Sequence, residues 1–193
     1  MRRKTFDKLV ASAGLLIAGL LVAVGGLLVW ANSFISDQVT TQLSAQQIYF
    51  PEAGDKAYED PAIKPYVEMY AGQQLTTGAQ ARAYADHYIA VHVDAMTGGK
   101  TYSQLSTESR ANPEDAKLAG LVETVFKGET LRGMLLNAYA FDTMGTVAGY
   151  SAFAAFGGAA ALGALSIAGF AHGKRTDESV VLGSLKQPIL ETV

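Results

Sequence analysis

The sequence predicts an all-α chain in which two apolar helices of membrane-spanning length flank a polar helical segment. Three observations carry this reading. There are two long runs without charge, each has basic residues on its outer side, and the apolar residues between them recur at helical spacing rather than in strand-like alternation. The composition, 49% hydrophobic and 17% charged, resembles that of a water-soluble protein only because it averages two apolar runs with one polar stretch.

The first run, Leu9 to Ala31, is 23 residues long. At roughly 1.5 Å per residue it covers about 34 Å, enough to cross a hydrocarbon core of about 30 Å with a modest tilt. The second run extends from Gly145 to Ala171. Arg2, Arg3, Lys4 and Lys8 precede the first, and Lys174 and Arg175 follow the second. Cytoplasmic flanks carry the excess of such residues, so both termini are expected in the cytoplasm. The expected organisation is a cytoplasmic tail (1–8), a first span (9–31), an extracytoplasmic helical domain (32–144), a second span (145–171) and a cytoplasmic C-terminal tail (172–193) with a disordered composition. A cleaved signal peptide is the alternative for the N-terminus. The run exceeds the roughly 7–15 apolar residues of such a peptide, and Val29-Trp30-Ala31 lacks the small residue expected two before the last. Trp30 falls where an interfacial aromatic belongs.

Beyond Trp30 the helical pattern continues through Phe34, Ile35, Val39, Leu43 and Ile48, which predicts one long helix reaching about Phe50. Pro51, Gly54, Pro61 and Pro65 make 51–65 a loop, and a short helix is expected over Tyr66 to Ala71. Thr77 reads as the N-cap of a helix over Gly78 to Met96 that Gly98-Gly99 ends. Tyr102 to Arg110 predicts a shorter helix. Asn112-Pro113-Glu114-Asp115 combines a capping side chain, a first-turn proline and two acids facing the helix dipole, and so starts another. That helix carries Leu118, Leu121, Val122, Val125 and Phe126 as a stripe, for which the outer extension of the first helix is the expected partner. Gly128 predicts a kink before the chain enters the second span.

The middle segment holds 8 Lys/Arg against 14 Asp/Glu, a net of −6, which offers no basic patch for nucleic acid. The chain has no cysteine, hence no disulfide, thiolate metal site or cysteine nucleophile. Neither span contains a charged residue, which disfavours a proton or ion pathway built from this chain alone. Asp142 comes nearest, with Arg132 ten residues upstream, and reads as an interfacial charge. No Walker loop, dinucleotide-binding glycine pattern, GxSxG or HExxH occurs.

Small residues let membrane helices approach closely. Gly145 and Gly149, with Ala152 following, and Gly19, Ala23 and Gly26 in the first span are the predicted helix-contact positions, within the chain or between copies. His87, His92 and Asp94 are the nearest to a metal or acid–base cluster. On a regular helix the two histidines point about 140° apart and lack the i, i+4 spacing of a helical zinc site. Tyr66, Tyr70, Tyr84, Tyr88, Tyr102 and Tyr139 supply aromatic surface that suits a ligand pocket or a packed core.

The segments TFDK, VWANSF, YAGQQLTTGAQARAYADHYIAVH and FKGETLRGMLLNAYAF together resemble a family of uncharacterised two-span membrane proteins from actinobacteria, over nearly the whole chain except its C-terminal tail. The name aromatic ring-opening dioxygenase, sometimes attached to members of that family, implies an iron held by two histidines and a carboxylate. The helical spacing here does not offer that set. The functional expectation is a non-catalytic accessory or scaffold protein of the cell envelope, without a cofactor, whose partners are the lipid bilayer and either another membrane protein or a second copy. The alternative is an extracytoplasmic module that binds or senses a small or lipidic ligand.

Overall fold

The computed structural model describes residues 2–177 and 180–181, so most of the predicted C-terminal tail lies outside the described residues. The fold is all-α: among the described residues there are six α-helices, α1 (Arg3–Ala45), α2 (Lys64–Val67), α3 (Gly78–Tyr84), α4 (Ala90–Thr97), α5 (Tyr102–Ala111) and α6 (Ala116–Arg175), with short 3-10 turns at Lys56–Glu59 and Glu68–Tyr70. Among the described residues, extended pairing is limited to the isolated bridges Tyr49–Gln74 and Arg2–Val181. Helices α1 and α6 are each long and apolar enough to cross a membrane. The chain divides into two compact units, residues 1–30 with 148–193, and residues 31–147.

In the first unit α1 and α6 pack as an antiparallel pair. A Cβ added at Gly25 would meet the Phe156 ring at 2.9 Å, one at Gly158 would meet Leu21 at 3.4 Å, and one at Gly169 would meet Ala11 at 3.3 Å. Gly14 faces the Ser166 hydroxyl, and Gly173 faces Asp7. The contacting positions of α1, namely Asp7, Ala11, Gly14, Ala18, Leu21 and Gly25, alternate at spacings of four and three. Those of α6 follow the same 3.5-residue period through Ala152, Ala155, Ala159, Ser166 and Gly173. This is the seam of a left-handed antiparallel helix pair, with small residues setting a close approach.

Within one chain this seam does not use the row predicted for the first span, which stays open as a face toward a second copy. Gly19 and Gly26 have nothing within 4 Å of an added Cβ, and Ala23 is exposed. The small-residue spacing chosen from sequence runs along the outer side of α1, roughly 100° from the seam one residue away. On α6, Ala152 lies in the seam at 2% exposure, and Gly149 is half-buried.

In the second unit the remaining turns of α1 meet α6 at Gly145. The Asn32 side-chain amide donates to the Gly145 carbonyl oxygen at 2.8 Å, and Ile35 Cγ2 lies 3.0 Å from a Cβ built at Gly145. Helix α1 ends at Ala45 rather than near Phe50, because Gln47 takes a left-handed φ of 52° and turns the chain. Phe50 N–H then donates to Gln73 O at 2.9 Å, and Leu75 N–H donates to Ile48 O at 2.8 Å.

Thr77 caps α3 as expected: its hydroxyl accepts from Gln80 N–H, and the Gln80 side chain returns to the Thr77 backbone N–H. Gly98, at φ 60°, supplies the left-handed stop after α4. Between α3 and α4 the segment Ala85–Ile89 winds as a π turn. Helix α6 starts three residues later than Pro113 would place it, since Asp115 accepts from both Lys117 N–H and Leu118 N–H at 3.0 Å and is therefore the cap.

Helix α6 is unbroken at Gly128, where the missing side chain admits Val93. Its stripe packs differently from expectation. Val125 is fully buried, Leu118, Leu121 and Val122 are partly buried, and Phe126 is 53% exposed. Val125 shares a buried cluster with Val93 of α4, which also lies against Gly128, and the stripe meets α5 through the Tyr102–Phe126 ring pair at 5.6 Å. Helix α1 cannot reach it. Ala45 ends roughly level with Leu135 in an antiparallel pair that aligns Ile35 with Gly145, and Val125 lies about 15 Å further on.

Candidate functional site

The sequence-selected tyrosines sort into a ring stack and three outliers. Phe50 packs on Tyr70 with centroids 5.2 Å apart and edge-on to Tyr84 at 5.3 Å; Tyr84 contacts Tyr88 at 4.8 Å, and Tyr88 contacts His92 at 4.5 Å. Phe50 is buried in the core of the second unit with Leu75, Val67 and Leu135; Tyr70, Tyr84 and Tyr88 pack against it, and the line ends at exposed His92. Burial pushes the Tyr84 phenol up to about 12, and burial also raises Tyr88 and Tyr58. The Tyr58 hydroxyl donates to Pro51 O at 2.7 Å. All three phenols thus stay protonated at neutral pH. Tyr66 lies at the surface, and Tyr102 reaches Phe126. Tyr139 lies under the Arg82 guanidinium, 4.9 Å from its centroid, and its hydroxyl accepts from Arg82 at 2.9 Å.

The π turn breaks the regular 100° step between His87 and His92, and the structure gives each histidine a local partner. His87 stacks flat on Tyr66 with centroids 3.6 Å apart. His92 Nδ1 lies 2.7 Å from Tyr88 O, a contact that requires the proton on Nδ1. Among the described residues no three His, Cys, Asp or Glu side chains gather as a metal site. The turn also aims Asp86 at α6, where Arg132 donates to it at 3.2 Å and to Glu129 at 3.3 Å; Arg82 lies 3.8 Å from the same carboxylate. Sequence reading missed this network, since nothing in ADHYI marks a π turn.

Among the described residues, cavities open on the second unit at two places that bear on function. One, of about 770 Å³, is bounded by α4, the 99–103 connection and α6, and it contains Asp94, Lys100, Tyr102, Glu129 and Arg132. Its cations are already engaged: Arg132 as above, and Lys100 with Glu108 at 2.8 Å. The other, of about 610 Å³, runs between α1 and α6 from Phe34 and Met144 to Gln46 and Met134. No Lys, Arg, Asp or Glu lines it. Its polar groups are the amides of Gln38, Gln42, Gln46 and Asn137, and Gln42 donates to Gln38 at 3.4 Å. Of the six tyrosines, only Tyr102 borders either cavity.

No family model, curated protein or solved structure matches this chain.

Proposed function

We propose that this chain is a two-pass protein of the cell membrane that works by binding rather than by catalysis, an accessory or scaffold protein with both termini cytoplasmic and residues 32–144 outside. The observation that carries the reading is how α6 is used. Two of its charged side chains, Glu129 and Arg132, are engaged in an ion-pair network with Asp86, while Phe126, Met134, Phe141 and Met144 are left more than half exposed along the same helix. Large apolar side chains in a row beyond the spans suit a surface that receives another membrane protein or a second copy.

In-cell cross-linking followed by purification in mild detergent tests the proposal. A stoichiometric membrane partner or a homo-oligomer is the expected result, and a monomer with nothing attached contradicts it. A second reading, a module that binds a lipidic ligand, is favoured by one specific observation, the uncharged groove between α1 and α6.

A further inference from the structure

We infer that the groove between α1 and α6 in the second unit holds one acyl chain of a phospholipid drawn from the outer leaflet. The inference deepens the second reading above and rests on the two spans lying in a bilayer.

Chemistry supports it first. The segment 32–144 carries 22 charged side chains, and none of them lines the groove. A peptide or a water-soluble metabolite would be met by charge or by a dense set of donors, whereas a hydrocarbon chain needs neither. Met134, Phe141 and Met144 form one wall and are 57–61% exposed, and methionine conforms to an irregular apolar guest.

Position supports it next. One end of the groove is set by Phe34, three residues past the predicted end of the first span, and by Met144, immediately before the second. Lipid tails therefore reach this end without crossing water. The Asn32 amide bond to Gly145 O clasps the two helices there, so a chain enters beside the pair rather than between them.

Length is the third support. From Phe34 to Gln46 the wall of α1 runs about 18 Å at roughly 1.5 Å per residue, the scale of a single fatty-acyl tail, and the volume lies inside the ordinary ligand-pocket range of about 300–1,000 Å³. The amides of Gln38 and Gln42 stand along the rim, where the Gln42 amide donates to Gln38 and so satisfies part of their polarity without a ligand.

The test is photolabelling of the full chain in phosphatidylcholine vesicles doped with a phosphatidylcholine that carries a diazirine near the end of one acyl chain, with adducts mapped by mass spectrometry. Exposed Leu16 and Leu20 in the first span report ordinary lipid contact, and exposed Met69 in the outer segment reports background. Adducts on peptides covering 34–46 and 134–144, well above the Met69 level, are expected. Gln42→Trp, which fills the groove from α1, should lower them about tenfold, the effect of displacing about two methylene groups. Asn137→Trp fills it from α6 at another exposed position and should act likewise, with span adducts unchanged in both variants.

Groove labelling at the Met69 level, with normal span labelling, overturns the inference. So does labelling that neither tryptophan reduces, or a Gln42→Cys cross-link between copies that forms in place of lipid adducts. Loss of span labelling as well overturns instead the membrane reading beneath it.

Discussion

Replacing Gly25 and Gly26 separately by leucine separates the packed seam of α1 from its outer side. The substitutions are adjacent, remove the same residue and gain similar helix propensity. They differ in surroundings. A Cβ at Gly25 lies 2.9 Å from two Phe156 ring carbons and 3.2 Å from a third, while one at Gly26 has nothing within 4 Å. The ring would have to withdraw by about 0.5 Å for the Cβ alone, and three further leucine carbons follow it, so the cost falls in the overpacking range of about 1–3 kcal/mol. Lipid gives no compensating hydrophobic gain, because tails are as apolar as leucine. Gly25→Leu should therefore be about 2 kcal/mol less stable than Gly26→Leu, about thirtyfold in the folding equilibrium. Dyes on introduced Thr5→Cys and Thr176→Cys, feasible because the chain has no cysteine, would report unfolding in mixed micelles as the SDS fraction rises. Phe156→Ala should restore much of the loss in Gly25→Leu. Equal stability of the two leucine variants would refute the seam.

Other perturbations address the second unit. Gly78→Ala would bring its methyl against the Asp142 side chain, whose Oδ2 and Cγ lie 2.6 and 2.8 Å from the new Cβ. It should cost about 1–3 kcal/mol, whereas Gly133→Ala, with open space around it, should raise thermal stability slightly. Leu135→Ala empties a site at 1% exposure and should cost about 2–5 kcal/mol in chemical denaturation, against little for exposed Met134→Ala. The Tyr84 phenol is raised from about 10 to about 12 in the folded state, so that state keeps a proton the unfolded chain releases. Its stabilising contribution is whole below pH 10 and is lost as pH rises through 12. Allowing for its partial solvent screening, the loss is on the order of 1–2 kcal/mol, and Tyr84→Phe should flatten that part of the stability profile.

The helices and most of their caps were legible because they are local. Thr77 with Gln80, and Gly98 after Thr97, carry their stop and start chemistry within four residues. The start of α6 shifted because Asp115, two residues beyond Pro113, offers its carboxylate to two backbone donors at once. What could not be read was which face meets which. In a span rich in Gly and Ala, the rows 19/23/26 and 11/14/18/25 look alike and both keep a 3.5-residue period, and only the match of the second to a row on α6, a tertiary fact, distinguishes them. The stripe around Val125 went to α4 and α5 because the length of α1, set by the turn at Gln47, is a tertiary fact. The groove escaped notice for a similar reason: its walls, Phe34–Gln46 and Met134–Met144, are about 90 residues apart in sequence and become one surface only when the helices pair.

The central claim is that both long helices cross a membrane and leave residues 32–144 outside. Single cysteines in this cysteine-free chain test it without background. Ser103→Cys, exposed on α5, should react with a membrane-impermeant maleimide in intact cells, and Thr176→Cys should react only after the membrane is opened. Recovery of the chain in the soluble fraction, or labelling of Thr176→Cys in intact cells, would contradict the account.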